Sequence, residues 1–358
     1  MAVISASMGA GHDGAARQLV REFTAAGYTT AVHDFLDLLG PRGGRLLRGA
    51  YSAQLRVAPG TWGWLLGGLG RSPRVSAAAA DLVGRVAARR LRRALGSGLT
   101  AVVSTYPLAS LALGRLRRRG ELAAPVLTYL TDLSVHRLWV SPGVDRHLAL
   151  HEVAAAQARG LGAAGVEVVR PAVAPDFRTA APVRLPVTGP VALVVAGSWG
   201  VGDVARTAAE IAATGLATPV TVCGHNPELR RRITAGLALG WVADMPALVR
   251  AADVVVQNAG GLTSLEAMAA GVPVLSYRCL PGHGTTNAAA LDRAGLAPWV
   301  TDPAGLVPAL RQALAEGPDK AAARLFDDPA AIDAVRAVLA AEAPAPVRPP
   351  ARLARIGR

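Results

Sequence analysis

Two stretches carry residue types at spacings that could do chemistry. The first runs from Ala252 to Gly271, ADVVVQNAGGLTSLEAMAAG. It reads as a buried β-branched strand, a tight turn at Gly260-Gly261, and a helix closed by Gly271. Paired glycines let backbone approach a ligand closely. Thr263 and Ser264 fall in the first helical turn, where unpaired N–H groups and the helix dipole favour an anion. Glu266 lies three residues beyond Thr263, at the same mouth. A phosphate cradle with a carboxylate beside it suits a sugar nucleotide, whose ribose hydroxyls need an acceptor. An ordinary strand–turn–helix capped by Thr263 would show the same spacing.

The second stretch follows the N-terminal strand Ala2–Ser5 and reads SASMGAGHDG. Gly9, Gly11 and Gly14 spell G-x-G-x-x-G between a strand and a helix, and Asp34 or Asp37 lies about twenty residues on, the spacing of a dinucleotide site. An NAD(P)-dependent oxidoreductase is therefore one reading. Against it stands His12, whose imidazole would occupy the place where a pyrophosphate meets bare backbone. A titratable ring at a glycine-rich helix mouth suits a general base better than a cofactor clamp, although a histidine that merely begins a helix is the plain alternative.

These groups need a scaffold that presents them. Strand-like runs at Ala101–Thr105, Pro125–Asp132, Arg146–Leu150 and Val166–Arg170 continue the first half, and Asp132 and His136 fall at the carboxyl end of one of them, where α/β sites form. Either could orient a base, bind an acceptor hydroxyl or cap a loop. The alternation restarts at Val191–Val195, whose loop carries Gly197 and Ser198. It continues through Pro219–Cys223 with Gly224 and Leu237–Val242, then the opening strand, Val272–Tyr277 and a loop Pro281–Asn287. The expected fold class is α/β, two facing Rossmann-like domains with parallel sheets, the first over 1–175 and the second over 176–340. Pro171–Pro190 reads as an interdomain linker, and 341–358, rich in Pro, Ala and Arg, as a disordered basic tail.

At 358 residues the chain has room for two domains, and 51% apolar against 4% aromatic residues suits a packed α/β protein. Cys223 and Cys279 flank apolar strands and read as core thiols in a reducing cytosol. The first strand begins almost at the initiator, which leaves no room for a signal peptide, and no apolar run reaches membrane-spanning length. The net charge is +13 with Lys320 as the sole lysine, and 42–93 holds eleven arginines against one acid, Asp81. Such a surface implies an anionic partner. Within 42–75, Leu46, Leu47, Ala50, Tyr51 and Leu55 share one side of a helical projection and Arg45, Arg48 and Arg56 the other, with Trp62 and Trp64 beyond. Arg45, Arg48, Trp62 and Trp64 are the expected contacts with a bilayer interface; a domain-packing helix is the alternative, and nucleic acid is not expected.

The ordered set of motifs resembles the GT-B glycosyltransferases of the monogalactosyldiacylglycerol synthase and processive diacylglycerol glucosyltransferase type, over about residues 1–315. Ser5 to His12 resembles the family's N-terminal glycine loop, and Thr131-Asp132-Leu133 with His136 and Trp139 its "TDL…H" segment. Gly197-Ser198 resembles the donor-diphosphate loop and Cys223-Gly224-His225-Asn226 a "CGxN" element. Gly240-Trp241-Val242 with Met245 is similar to the turn that holds uracil, and Asn258 to Glu266 to the diphosphate helix, with Glu266 on the ribose. The galactosyl enzymes' "PGQExGN" loop reads Pro281-Gly282-His283-Gly284-Thr285-Thr286-Asn287 here, so His283 and Gly284 replace the sugar-reading glutamine and glutamate.

The resemblance implies inverting transfer of a sugar from a UDP-sugar to a hydroxyl of a lipid or other apolar acceptor. His12 would act as base, aided by Asp132, while Gly9, Gly11 and His136 line the acceptor and Gly197, Ser198, Gly224, Val242, Met245, Gly260, Gly261, Thr263, Ser264, Glu266, His283 and Asn287 the donor. It implies no cofactor beyond that co-substrate, no metal, and a cytoplasmic location on the inner face of the cell membrane. A UDP-sugar epimerase or a UDP-sugar-binding protein on the same architecture is the alternative.

Overall fold

Buried β-branched runs punctuated by glycine place the strands. In the computed structural model, which describes residues 1–40, 42–49, 73–259, 261–317 and 320–342, they form two six-stranded parallel sheets. The N-terminal sheet holds β1 (Ala2–Ser5), β2 (Ala31–Asp34), β3 (Val102–Ser104), β4 (Val126–Tyr129), β5 (Arg146–Ala149) and β6 (Val166–Val168) in the order β2-β1-β3-β4-β5-β6. The second holds β7 (Val191–Val195), β8 (Thr218–Val222), β9 (Leu237–Leu239), β10 (Val254–Gln257), β11 (Val274–Tyr277) and β12 (Trp299–Val300) in the order β12-β11-β10-β7-β8-β9. Strands buried on both faces read as continuous apolar runs, as VALVV of β7 does, each of its residues buried. Since every pairing is parallel, all loops that follow strands leave at one edge of each sheet.

Several expectations change. The stretch Pro171–Pro190 is no free linker: Phe177 is 4% exposed in the core, and the Arg178 carbonyl accepts a hydrogen bond from Arg250. The helix Ala331–Glu342, assigned to the second domain by its place in sequence, packs on the first. There Glu22 accepts from the Ile332 N–H at 2.9 Å, and the Arg170 N–H reaches the Pro329 carbonyl. The chain thus crosses back, tying the lobes at both ends. Residues 42–49 are helical, but Leu46 is 75% exposed while its neighbour Leu47 packs on the core, so the two do not share a buried side. Trp62 and Trp64, and the tail beyond residue 342, lie outside the described residues. Among those described, no helix is long and apolar enough to cross a membrane, and Cys223 and Cys279 are free thiols.

Candidate active site

The carboxyl edges of the two sheets face each other, and the candidate site is built between them. From the first edge, Gly9 takes φ +136 at the start of helix Ala10–Ala25 and delivers His12 into its first turn. The His12 Nδ1 lies 2.7 Å from the Thr105 carbonyl just after β3, so Nδ1–H donates there and Nε2 is left as the unprotonated nitrogen. Tyr106 meets the ring edge-on at 5.3 Å and Trp139 tilts over it at 6.1 Å. Burial lowers the His12 pKa below the usual histidine value; the Asp132 carboxylate and the Thr105 carbonyl oppose that, and His283 adds to it. The imidazole is therefore neutral at ordinary pH, the state a general base needs.

His136 sits beside this group, with its ring 6.2 Å from Trp139. Burial, then His283 and His12, push its pKa down to about 3, and its Nδ1 is buried without a protein partner. A buried polar atom without a protein partner needs a ligand hydroxyl or water to satisfy it.

The second edge closes on this constellation. Asp132, buried after β4, lies 3.5 Å from the His283 Nε2. The Asn287 Oδ1 accepts the Leu133 N–H at 3.1 Å, and the Thr286 hydroxyl reaches Ser134 at 3.4 Å. Asn287, expected on the donor, binds the opposite lobe, and its buried Nδ2 has no protein partner. His283 to Asn287, expected as loop, form the first turns of the helix His283–Arg293, which begins after Gly282 at φ +85.

Glycine is required where the lobes meet. A Cβ at Gly261 would strike the Asp132 Oδ1 and sit 3.1 Å from the Thr131 carbonyl; one at Gly14 would strike the Leu262 side chain. Gly261→Ala is expected to displace Asp132 or part the lobes, lowering turnover by up to roughly 10²-fold while thermal unfolding stays near the parent's. Turnover equal to the parent's would show that this contact does not set the site.

Gly14 therefore serves a contact between helices of the two lobes. Asp34, the expected ribose acid of a dinucleotide site, caps the Leu36 N–H at 2.8 Å and also accepts from the Ser7 hydroxyl. Arg48, itself exposed, reaches both Ser7 and Asp34, the latter at 3.7 Å, beside the glycine loop. Arg45 lies in the same helix, and the tryptophans expected to accompany it fall outside the described residues.

The remaining donor candidates line the second edge in sheet order. Helix Gly261–Ala269 follows β10, carrying Thr263, a buried Ser264 and Glu266; Gly260, the other half of the pair, is outside the described residues. Gly197 and Ser198 follow β7, and Gly224 follows β8, so close that a Cβ at Gly224 would lie 2.5 Å from the Ser198 carbonyl. Val242 and Met245 follow β9 and pack on the core. His225 and Trp241 stack at 4.2 Å and 9°, joining the β8 and β9 loops. A cavity of about 540 Å³ opens between the β7 and β8 loops, lined by Trp199, His225, Asn226 and Arg232. Glu266 is partly buried, and desolvation of its carboxyl raises its pKa to about 8, partly offset by Arg17 from the opposite lobe.

Sequence reasoning missed Thr105 and Tyr106, although polar residues directly after the buried β3 are the pattern that found Asp132. It also missed a clamp directly after β11, at the start of the loop that leads to His283. Arg278 holds φ +48, a left-handed conformation rare outside glycine, and gives two 2.6 Å hydrogen bonds to Glu210, which also accepts from the Tyr277 hydroxyl. The Arg278 hydrogen bonds hold the Glu210 pKa down at about 2. Its folded value is depressed, so the clamp's stabilisation is present above pH 4.5 and lost as pH falls toward 2. Glu210→Gln is expected to destabilise by about 2 kcal/mol and to flatten that acid dependence; urea melts at several pH values read both.

Two parallel six-stranded sheets with facing carboxyl edges, a histidine on one and a helix N-terminus on the other, define a GT-B glycosyltransferase architecture. The comparisons agree. Residues 12–169 match the family described as Monogalactosyldiacylglycerol (MGDG) synthase, and residues 189–316 match Glycosyl transferases group 1. The chain is 27% identical over 214 residues to the processive diacylglycerol beta-glucosyltransferase of Bacillus subtilis (strain 168), over 55% of this chain and 56% of that protein. It therefore spans little more than half the length of the curated relatives it matches. Among solved structures it is similar to the glycotransferase of kitacinnamycin (TM-score 0.62, 14% identity, covering 94% and 97% of the two chains). It is also similar to Acinetobacter baumannii MurG (TM-score 0.53, 17% identity, 95% and 98%).

Proposed function

We propose that the chain transfers a sugar, with inversion, from a UDP-sugar to a hydroxyl of a diacylglycerol-like lipid. The observation that carries this is the orientation of His12. Its Nδ1 is fixed on the Thr105 carbonyl, which leaves Nε2 unprotonated; the Asp132 carboxylate acts on the ring electrostatically, and the helix start at Gly261 abuts Asp132 from the opposite lobe. The acceptor oxygen would give its proton to Nε2 as it attacks the anomeric carbon. The sugar–phosphate bond breaks, and charge developing on UDP is met by the N–H groups at the start of helix Gly261–Ala269 and by Ser198, so the step needs no metal ion. His136 would bind the acceptor hydroxyl and Glu266 the ribose. The protein would work as a peripheral enzyme on the inner face of the cell membrane.

A dinucleotide site is disfavoured because Asp34 and Gly14 are engaged by the protein itself. The sugar is open to test, since His283 stands where the galactosyl pattern has glutamine. A screen of UDP-glucose, UDP-galactose, UDP-N-acetylglucosamine and UDP-glucuronate with diacylglycerol, read by mass spectrometry, is expected to give one glycolipid product. UDP-sugar interconversion with no lipid product would favour an epimerase.

A further inference from the structure

We infer that Gln157 is a positioning residue of this active site: its carboxamide holds the loop that presents Asp132 and His136 to the reacting groups. The inference rests on the assignment of His12 as base and goes beyond it. The loop from Thr131 to His136 leaves β4 and is buried over Thr131, Asp132, Leu133 and Ser134. Buried backbone needs partners, yet among the described residues 131–135 make no hydrogen bond to other backbone. Two side-chain amides take that place. The Leu133 N–H donates to the Asn287 Oδ1 of the second lobe at 3.1 Å. From the other side the Gln157 Nε2 donates to the Leu133 carbonyl at 3.0 Å, and its Oε1 accepts the Val135 N–H at 3.1 Å. A residue on a neighbouring parallel strand would take the same two groups, the C=O of one residue and the N–H two further on. Gln157 thus extends the ladder of β4 past its last bond to the neighbouring chain, the Leu130 N–H on the Leu148 carbonyl.

The residues around Gln157 explain its reach. Helix Glu152–Gly160 buries Ala154, Ala155 and Ala158 in one cluster with Leu130 and Trp139. Side chains this small let the helix lie close to the loop. The second Nε2 hydrogen of Gln157 goes to the Val153 carbonyl one turn back at 2.9 Å, which fixes the orientation of the amide. Asp132 depends on this support because its own carboxylate has only long contacts. It lies 3.4 Å from the Thr131 hydroxyl and 3.5 Å from the His283 Nε2. What places it is therefore the backbone that carries it, and Gln157 and Asn287 grip that backbone at Leu133 from the two lobes. Asp132 is in turn the largest influence holding the His12 pKa up against burial. Of the other charged groups acting on His12, Asp13 raises its pKa and His283 lowers it, and neither is bonded to Gln157.

The test uses two uncharged variants of the full chain. Gln157→Met keeps the length of the side chain and loses its hydrogen bonds; Gln157→Asn keeps the amide but is too short to bridge both groups. Each is expected to lower kcat by about tenfold or more, leave donor KM nearly unchanged, and move the acid limb of kcat to lower pH. Combined with Asp132→Asn, each should cost much less than it does alone, because one residue acts through the other. Arg159→Gln on the same helix, whose partner is Glu152, should change none of these readings. The His12 ring resonances, identified by their loss in His12→Ala, report the displacement without turnover, and their titration should move to lower pH in both variants. A kcat within about twofold of the parent's, or a titration like the parent's, would overturn the inference. So would a loss that leaves the acid limb in place and adds fully to that of Asp132→Asn, the pattern of mere destabilisation, which thermal unfolding measures. Should His12→Ala turn over like the parent, the base assignment fails, and the resonances still decide whether Gln157 places Asp132.

Discussion

His12→Ala is expected to lower kcat by about 10²- to 10⁴-fold, with donor KM changing little. The argument is geometric before it is electrostatic. The Thr105 carbonyl fixes which nitrogen carries the proton, and Tyr106 and Trp139 hold the ring plane. Burial places the His12 pKa below its ordinary 6.5, so the acid limb of kcat should lie below pH 6.5. Asp132 is the largest influence raising that pKa; Asp132→Asn should therefore move the limb to still lower pH as well as slowing turnover, whereas a merely structural Asp132 would leave the limb in place. Steady-state transfer assays across pH read both effects. Turnover of His12→Ala within a few-fold of the parent would remove it as the base. The same burial has a cost in stability: the unfolded chain protonates His12 and His136 near pH 6.5 while the folded one resists, so stability should decline as pH falls below that value.

How much of this was legible in the sequence depends on the range of the interaction. Strand–loop–helix order was readable because buried parallel strands leave unbroken apolar runs such as Val254–Val256, and glycine marks their ends. His12, Asp132 and Glu266 were readable because each lies in the loop or the first helical turns that follow such a run. Contacts across the cleft left no local trace. Nothing near Gly14 announces Leu262 some 250 residues on, so its spacing imitated a dinucleotide loop. Arg48 and Asp34 each carried a plausible local role, outward cation and ribose acid, and the fold joins them to each other. The helix Ala331–Glu342 shows the same limit: its apolar face predicts packing but not onto which lobe. Arg278 had no signature at all, because its conformation is set by a carboxylate 68 positions away.

Glu266 offers the second large effect, one that separates donor binding from chemistry. Desolvation raises its pKa to about 8, so the carboxyl favours its protonated form at pH 7. An ionised carboxylate accepts ribose hydroxyl hydrogen bonds about twice as strongly as its protonated form, so UDP binding at pH 7 is expected to expel up to one proton, and apparent affinity should rise as pH climbs from about 6 to 8. Titration calorimetry in phosphate and in Tris, whose protonation enthalpies differ, counts that proton directly. Glu266→Gln should abolish the release and weaken UDP by about tenfold or more, since a charge-assisted hydrogen bond is lost. The variant should also be less sensitive to alkali. The folded parent holds a proton that the unfolded chain has shed above pH 4.5, so its stability falls between about pH 4.5 and 8, and glutamine removes that slope. Equal heats in both buffers, with affinity flat across this range, would mean that Glu266 does not receive the ribose and that its place between the lobes answers only to packing against Arg17.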